Sequence, residues 1–271
     1  MDTISARLFG SFEVAIDGVD LPKLRSRKSY LLLALLMLHA NREVERDFAC
    51  QALWPESTLE KARLGLRQCL NDVRSALGPS AWRLGSPTTR SLLLNCEGCE
   101  IDVVEFDKVC LKQDLTTERV DRLLSLFRRP LLEQYDADFV YFERDHRTNK
   151  LLGVIEHESK RAIDSGESST AARWARYALT LIPHSESACR CAMKALAVEN
   201  DIPEALQIYS EFRLRLWREM RREPNAETIA VYHSLKTGVQ PNGAGQLQHK
   251  RTIRSVRHLM SVALRWLPAC S

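Results

Sequence analysis

This 271-residue chain lacks several things, and each absence removes a class of function. The apolar run Leu31–Leu38 is far too short to span a bilayer, which takes about 20 residues, so a membrane is not an expected partner. No GxxxxGK[ST] loop occurs, which excludes a P-loop ATPase module. The seven histidines are scattered, and none stands in a catalytic spacing with a serine, cysteine or carboxylate. No enzyme site is therefore displayed, and neither catalytic residues nor cofactor is expected. Cys96-Glu97-Gly98-Cys99 is a lone CxxC with no second ligand pair, so no metal site is expected, and cysteines tucked into a hairpin are the plainer reading. Eight cysteines scattered over this length do not make a stapled secreted scaffold. No secretory signal precedes the first strand-like residues, so a reducing cytoplasm is the expected compartment.

Charge is nearly balanced overall, at +4, but its distribution is uneven. Residues 61–90 carry Lys61, Arg63, Arg67, Arg74, Arg83 and Arg90 against Asp72 alone. That local excess is a candidate footprint for a polyanion. Residues 240–271 carry five basic residues and no acidic one.

Along the chain, Leu8, Phe12, Val14 and Ile16 alternate with polar or small residues, and Asp17-Gly18 supplies a tight turn, so residues 6–16 are predicted to form a hairpin. A helix follows over about residues 25–40, with a leucine-rich middle buried on most sides. A second runs from about Arg46 to Trp54 and stops at Pro55, whose ring cannot continue a helix interior. Glu45 stands at its N-cap, a weak cap that still suits the helix dipole. Ser57 and Glu60 have the spacing of a capping box and are expected to open a third helix, which Gly78-Pro79 ends. Residues 82–84 and 92–94 bracket a turn-rich stretch and predict a second hairpin.

The third helix carries the strongest signal. Ala62, Leu66, Cys69, Leu70, Val73 and Leu77 fall on one side at 3.6 residues per turn, while Arg63, Arg67, Asn71 and Arg74 line the other. Arginine and asparagine are the side chains that reach guanine, adenine and phosphate in a major groove. An ordinary amphipathic helix with a solvated charged face would read the same way. Gly65 breaks the pattern mid-helix at a cost of roughly 1 kcal/mol relative to Ala. It either lets the helix approach other backbone closely or removes one base contact.

Strands, three helices and a hairpin in this order describe a winged helix with an N-terminal sheet. Over residues 4–95 the chain resembles the OmpR-type DNA-binding domain of the Streptomyces antibiotic regulatory protein (SARP) family. The matching pieces are residues 8–14 (LFGSFEV), 25–28 (RSRK), 53–57 (LWPES), Ala62-Arg63, 66–68 (LRQ) and 73–78 (VRSALG). Beyond residue 101 the chain reads as almost wholly helical. Ala171, Trp174 and Ala178 recur 34 residues later as Ala205, Ile208 and Phe212, the tetratricopeptide (TPR) period. This part resembles the bacterial transcriptional activator domain that follows the winged helix in SARP regulators, through residues 130–133 (PLLE), 142–144 (FER), 205–209 (ALQIY) and 223–228 (EPNAET).

The expected architecture is therefore an α+β winged helix over 1–98, an all-α TPR-like helical-repeat domain over 101–238, and a linker with a basic amphipathic tail over 239–271. The resemblance implies a sequence-specific DNA-binding transcriptional regulator, an activator, that reads promoter DNA with helix 58–77 and a wing at 85–91. Arg63, Arg67, Gln68 and Asn71 are expected at base edges. Arg74, Arg90 and Thr89, with Lys28 at the start of the first helix, are expected at or near phosphates. Double-stranded promoter DNA, RNA polymerase and a second copy of the chain are the implied partners, in the cytoplasm and on the nucleoid. A helical-repeat adaptor whose winged helix does not bind DNA is the alternative. In the tail, Ile253, Val256, Leu259, Met260, Ala263, Leu264 and Leu267 keep helical spacing opposite Arg254, Arg257 and Arg265, which suits self-docking, a partner or an anionic surface.

Overall fold

A computed structural model describes residues 2–112 and 114–238. The expected linker and tail helix lie outside the described residues. The chain forms two compact units, one of residues 1–158 with 180–182, the other of 159–179 with the described part of 183–271.

The first unit opens with β1 (Ile4–Arg7), β2 (Glu13–Ile16) and β3 (Val19–Asp20), an antiparallel meander in which Ile4 faces Ile16 across the first pair. The Asp17-Gly18 turn joins β2 to β3, while β1 pairs with β2 across residues 8–12, so the strand expected over 6–16 is two strands with a loop between them. β7 (Glu100–Ile101) adds itself parallel to β1, so the sheet order is β3-β2-β1-β7. α1 (Arg27–Leu38) begins where the Ser26 hydroxyl accepts the Ser29 N–H, an N-cap that satisfies one otherwise orphaned donor. Its residues Leu31–Leu38 are all buried, which explains a sequence with no polar face in that stretch. β4 (Val44–Glu45), α2 (Arg46–Leu53) and α3 (Leu59–Leu77) follow, then a 3-10 turn at Gly78–Arg83 and the strands β5 (Leu84–Gly85) and β6 (Ser91–Leu94). β4, β6 and β5 form a second small sheet, which is the winged-helix hairpin with a third strand on its flank.

Two local expectations need correction. α3 begins at Leu59 with Thr58 as N-cap and no side-chain cap bond, so the Ser57–Glu60 capping box does not form. Ser57 instead donates its N–H to the Trp54 carbonyl, which holds it in the turn one residue too early to cap. Gly65 is also explained. A Cβ built there would stand 2.8 Å from Cζ2 of Trp54, so the missing side chain makes room for the indole.

The first unit continues into α4 (Asp102–Cys110), α5 (Thr117–Leu126) and residues 138–158 of the long α6 (Asp138–Asp164). The Asp102 carboxylate accepts the N–H groups of Leu8 and Phe9 at 2.9 Å and its neighbour Val103 at 2.6 Å, just after β1. Phe9, Phe106 and Phe127 meet with ring centroids 4.9–5.8 Å apart. Residues 130–133 run beside residues 8–10: Gly10 N–H donates to the Pro130 carbonyl, Leu132 N–H to Leu8, and Glu133 N–H to Gly10. Gly10 takes φ +97°, a region other residues rarely enter. Arg144 of α6 donates to the carbonyls of Leu131, Leu132 and Tyr135, fixing that segment from behind. Two pieces of sequence about 120 positions apart thus form one joint.

The second unit contains α8 (Glu186–Val198), α9 (Ile202–Met220), α10 (Ala226–Thr237) and most of α7 (Ser168–Leu181). Ala171, Trp174, Ala178, Ala205 and Phe212 are buried, and Ile208 packs against a cluster of Ala175, Cys191 and Ala192. The positions that recur at 34 residues are therefore the ones where paired helices close on each other. Ser185, Asp201 and Asn225 cap α8, α9 and α10 through side-chain oxygens. Among the described residues no helix is long and apolar enough to cross a membrane.

Candidate nucleic-acid interface

α3 buries the six residues assigned to its apolar side, Ala62, Leu66, Cys69, Leu70, Val73 and Leu77. Arg63, Arg67, Gln68 and Asn71 are exposed on the other side, and Arg74 is half-buried. Asp72, the only acidic residue within 61–90, is turned toward the start of α1, where it accepts the Arg25 backbone N–H at 2.9 Å. Its carboxylate therefore does not dilute the positive face.

The wing lies beside that face. Arg74 reaches the Leu84 carbonyl at 3.4 Å, at the foot of the hairpin. Pairing of Glu45 with Ser91 brings β4 to the wing, and the Arg46 N–H donates to the Arg90 carbonyl at 2.8 Å. This bond satisfies a first-turn donor of α2, which Glu45 leaves uncapped. Thr88 and Ser91 share a hydroxyl hydrogen bond of 2.7 Å that closes the loop, leaving Thr89 and Arg90 exposed.

One cation counted in the sequence excess, and two more at the start of α1, are engaged internally. Arg83 is 2% exposed and donates to the carbonyls of Asp2, Asn95 and Glu97. Lys28 donates to the Leu53 carbonyl and lies over the Trp54 ring, so its ammonium is turned into the fold. Arg27 likewise donates to the Gln134 carbonyl and lies over Tyr135. The structure thus brings Arg63, Arg67, Gln68, Asn71 and Arg74 onto one helix face and sets Thr89 and Arg90 in the neighbouring wing. Lys28 is not among them.

Two residues escaped the sequence reading. Arg46 donates to the Ser86 hydroxyl at 2.9 Å, while its Nε is buried without a hydrogen-bond partner. Burial, and then the like charges of Arg74 and Arg67, hold its pKa below the ordinary arginine value. Asp47 takes Arg63 in a fork: Nε and Nη2 reach Oδ1 at 3.1 and 2.9 Å, and Nη2 reaches Oδ2 at 3.0 Å. Both follow a strand too short to show any alternation, so no periodic signal marks them. Only the pairing of β4 with the wing places them beside α3.

The CxxC pair offers no comparable chemistry. Burial, then Cys99, pushes the Cys96 thiol up to about 12. Among the described residues no group of three or more His, Cys, Asp or Glu is arranged to hold a metal ion.

Comparison with known proteins places the helical part first. Residues 109–236 match the family model of the bacterial transcriptional activator domain. The chain is 23% identical over 247 residues to the transcriptional regulatory protein MoaR1 of Mycobacterium bovis BCG and to that of Mycobacterium tuberculosis. Each alignment covers 86% of this chain and 79% of the relative. A solved structure of Mycobacterium tuberculosis EmbR, in complex with a low-affinity phosphopeptide, superposes with a TM-score of 0.67 and 19% identity, covering 96% of this chain and 71% of that one. The fold is thus shared with that protein. Both MoaR1 relatives are transcriptional regulatory proteins by description.

Proposed function

We propose that this chain is a SARP-like transcriptional regulator that binds double-stranded promoter DNA sequence-specifically and activates transcription. Residues 1–98 carry the DNA reading, and residues 101–238 carry self-association and the contact with RNA polymerase. α3 enters the major groove, with Arg63, Arg67, Gln68 and Asn71 at base edges, since recognition helices present polar residues there while the opposite face anchors the helix. Arg74, Arg90 and Thr89 meet phosphates, which fix register without reading sequence. Arg46 joins this phosphate group, and Lys28 is left out because its ammonium is engaged with Leu53. A site on the nucleoid in the cytoplasm follows from such a partner.

One observation carries the reading. At the junction of α3 and the wing, Arg74 and Arg67 bring like charge to bear on the partly buried Arg46, and none of the three has a carboxylate within salt-bridge distance among the described residues. Like charges assembled without internal anions raise the energy of the free protein, and a polyphosphate backbone relieves it.

The test is binding of the full chain to genomic fragments over a salt series. With about five phosphate contacts, log K against log salt should slope near −4 to −5. Arg46→Ala should reduce that slope by about one while weakening all sequences alike. Binding indifferent to salt, or capture of proteins with no DNA retained, would favour the adaptor instead.

A further inference from the structure

The Asp47–Arg63 fork has a geometry that stability alone does not explain. Both side chains are half exposed, at 49% and 51%, and exposed ion pairs contribute little to folding. What the pair does fix is the direction of one guanidinium. Arginine has five N–H donors in a rigid plane. Asp47 takes the edge formed by Nε and Nη2, leaving the parallel donors of the Nη1–Nη2 edge unclaimed. That remaining edge matches the O6 and N7 acceptors of guanine. Arg63 lies in the second turn of α3, near the N-terminal end that recognition helices present to bases. Asp47 is itself anchored, since the preceding residue's N–H is tied to the Arg90 carbonyl of the wing.

We infer that Asp47 is a positioning residue that holds Arg63 as a guanine reader, so that α2, with no base contact of its own, sets one position of the operator. The inference rests on the DNA-binding reading above. Locking the guanidinium before binding removes the ordering of a long, rotamer-rich side chain from the association step. The carboxylate also places a negative charge at the interface, which disfavours binding to backbone alone.

The experiment selects duplexes from a random double-stranded DNA library with the full chain and its Asp47→Ala, Asp47→Asn and Arg63→Ala variants. Arg63→Ala should lose preference for guanine at one position. Asp47→Ala should lose discrimination at that same position by about five- to one-hundredfold, the range of a bidentate base contact, with the other positions kept. Asp47→Asn, which retains one acceptor, should fall between. Affinity of both Asp47 variants for unselected DNA should not drop, which a merely destabilised protein would not show. The double variant should discriminate no worse than Arg63→Ala. If Arg63→Ala alters the selected sequence and the Asp47 variants do not, the positioning role is overturned while DNA reading stands. Loss of preference for cytosine at a different position makes Asp47 a base reader in its own right and equally overturns it. If the unaltered chain selects no sequence, the DNA-binding reading itself has failed.

Discussion

Four arginines around the wing differ both from their paired neighbours Arg7, Arg25 and Arg63 and from four arginines of α7–α10. In the second unit, Arg190 pairs with Glu227 at 3.3 Å, Arg213 with Glu223 at 2.6 Å and Arg222 with Glu186 at 3.5 Å, while Arg176 meets Glu204. In the first, Arg46, Arg67, Arg74 and Arg90 find no carboxylate within that range among the described residues. A helical repeat that only has to stack can neutralise its surface, because every pair adds solubility without obstructing a partner. On the proposed reading a surface that receives an anion leaves its cations open; Arg46, whose pKa is lowered first by burial and then by the charges of Arg74 and Arg67, stands in that setting.

The contrast can be broken most forcefully at the joint that Asp102 makes with Leu8 and Phe9. Asp102→Ala should orphan the buried N–H groups of Leu8 and Phe9 and lower unfolding free energy by about 3 kcal/mol, measured by urea titration. Burial raises the Asp102 pKa against the pull of its backbone hydrogen bonds. The folded state therefore holds that proton to higher pH than the unfolded chain does. Its contribution should fall as pH rises from the ordinary carboxylate value through the raised one, and Asp102→Asn should flatten that segment of the curve.

Next comes the open surface itself. Arg67→Ala should weaken binding to a selected duplex by about 2 kcal/mol and relax one base position, with the unfolding midpoint unchanged. A gel-shift series without loss would remove Arg67 from the reading face. Gly65→Ala sharpens the comparison inside α3. Helix propensity gains roughly 1 kcal/mol, but the new methyl must displace Trp54, and overpacking costs about 1–3 kcal/mol. A net loss of about 1 kcal/mol is expected in thermal unfolding, and a stabilised variant would show that the indole swings away freely. The smallest effect belongs to the paired surface: Arg213→Ala should shift neither DNA affinity nor the unfolding midpoint measurably, since its partner Glu223 is equally exposed to water.

α3 was legible because its information is local. A 3.6-residue period marks Leu66, Val73 and Leu77 as buried whatever they meet, and the six inward positions of α3 are the ones the period picks out. The leucine run of α1 and the 34-residue recurrence were readable on the same ground. The parallel strand β7 was not, because two residues carry no alternation and their pairing with β1 spans some ninety positions. Nor was the Ser57–Glu60 misreading avoidable from spacing, since the competing acceptor is the Trp54 carbonyl fixed by the preceding turn.

By itself the sequence determined which face of α3 turns inward, the succession of first hairpin, three helices and wing, and the helical-repeat period. These follow from chain geometry and the apolar pattern, and need no knowledge of neighbours. Which cations stay open was decided only in three dimensions. Arg67 and Arg83 are chemically alike, yet one is exposed on α3 and the other is buried against the carbonyls of Asp2, Asn95 and Glu97. A long charged side chain takes its role from the groups that folding brings within its reach.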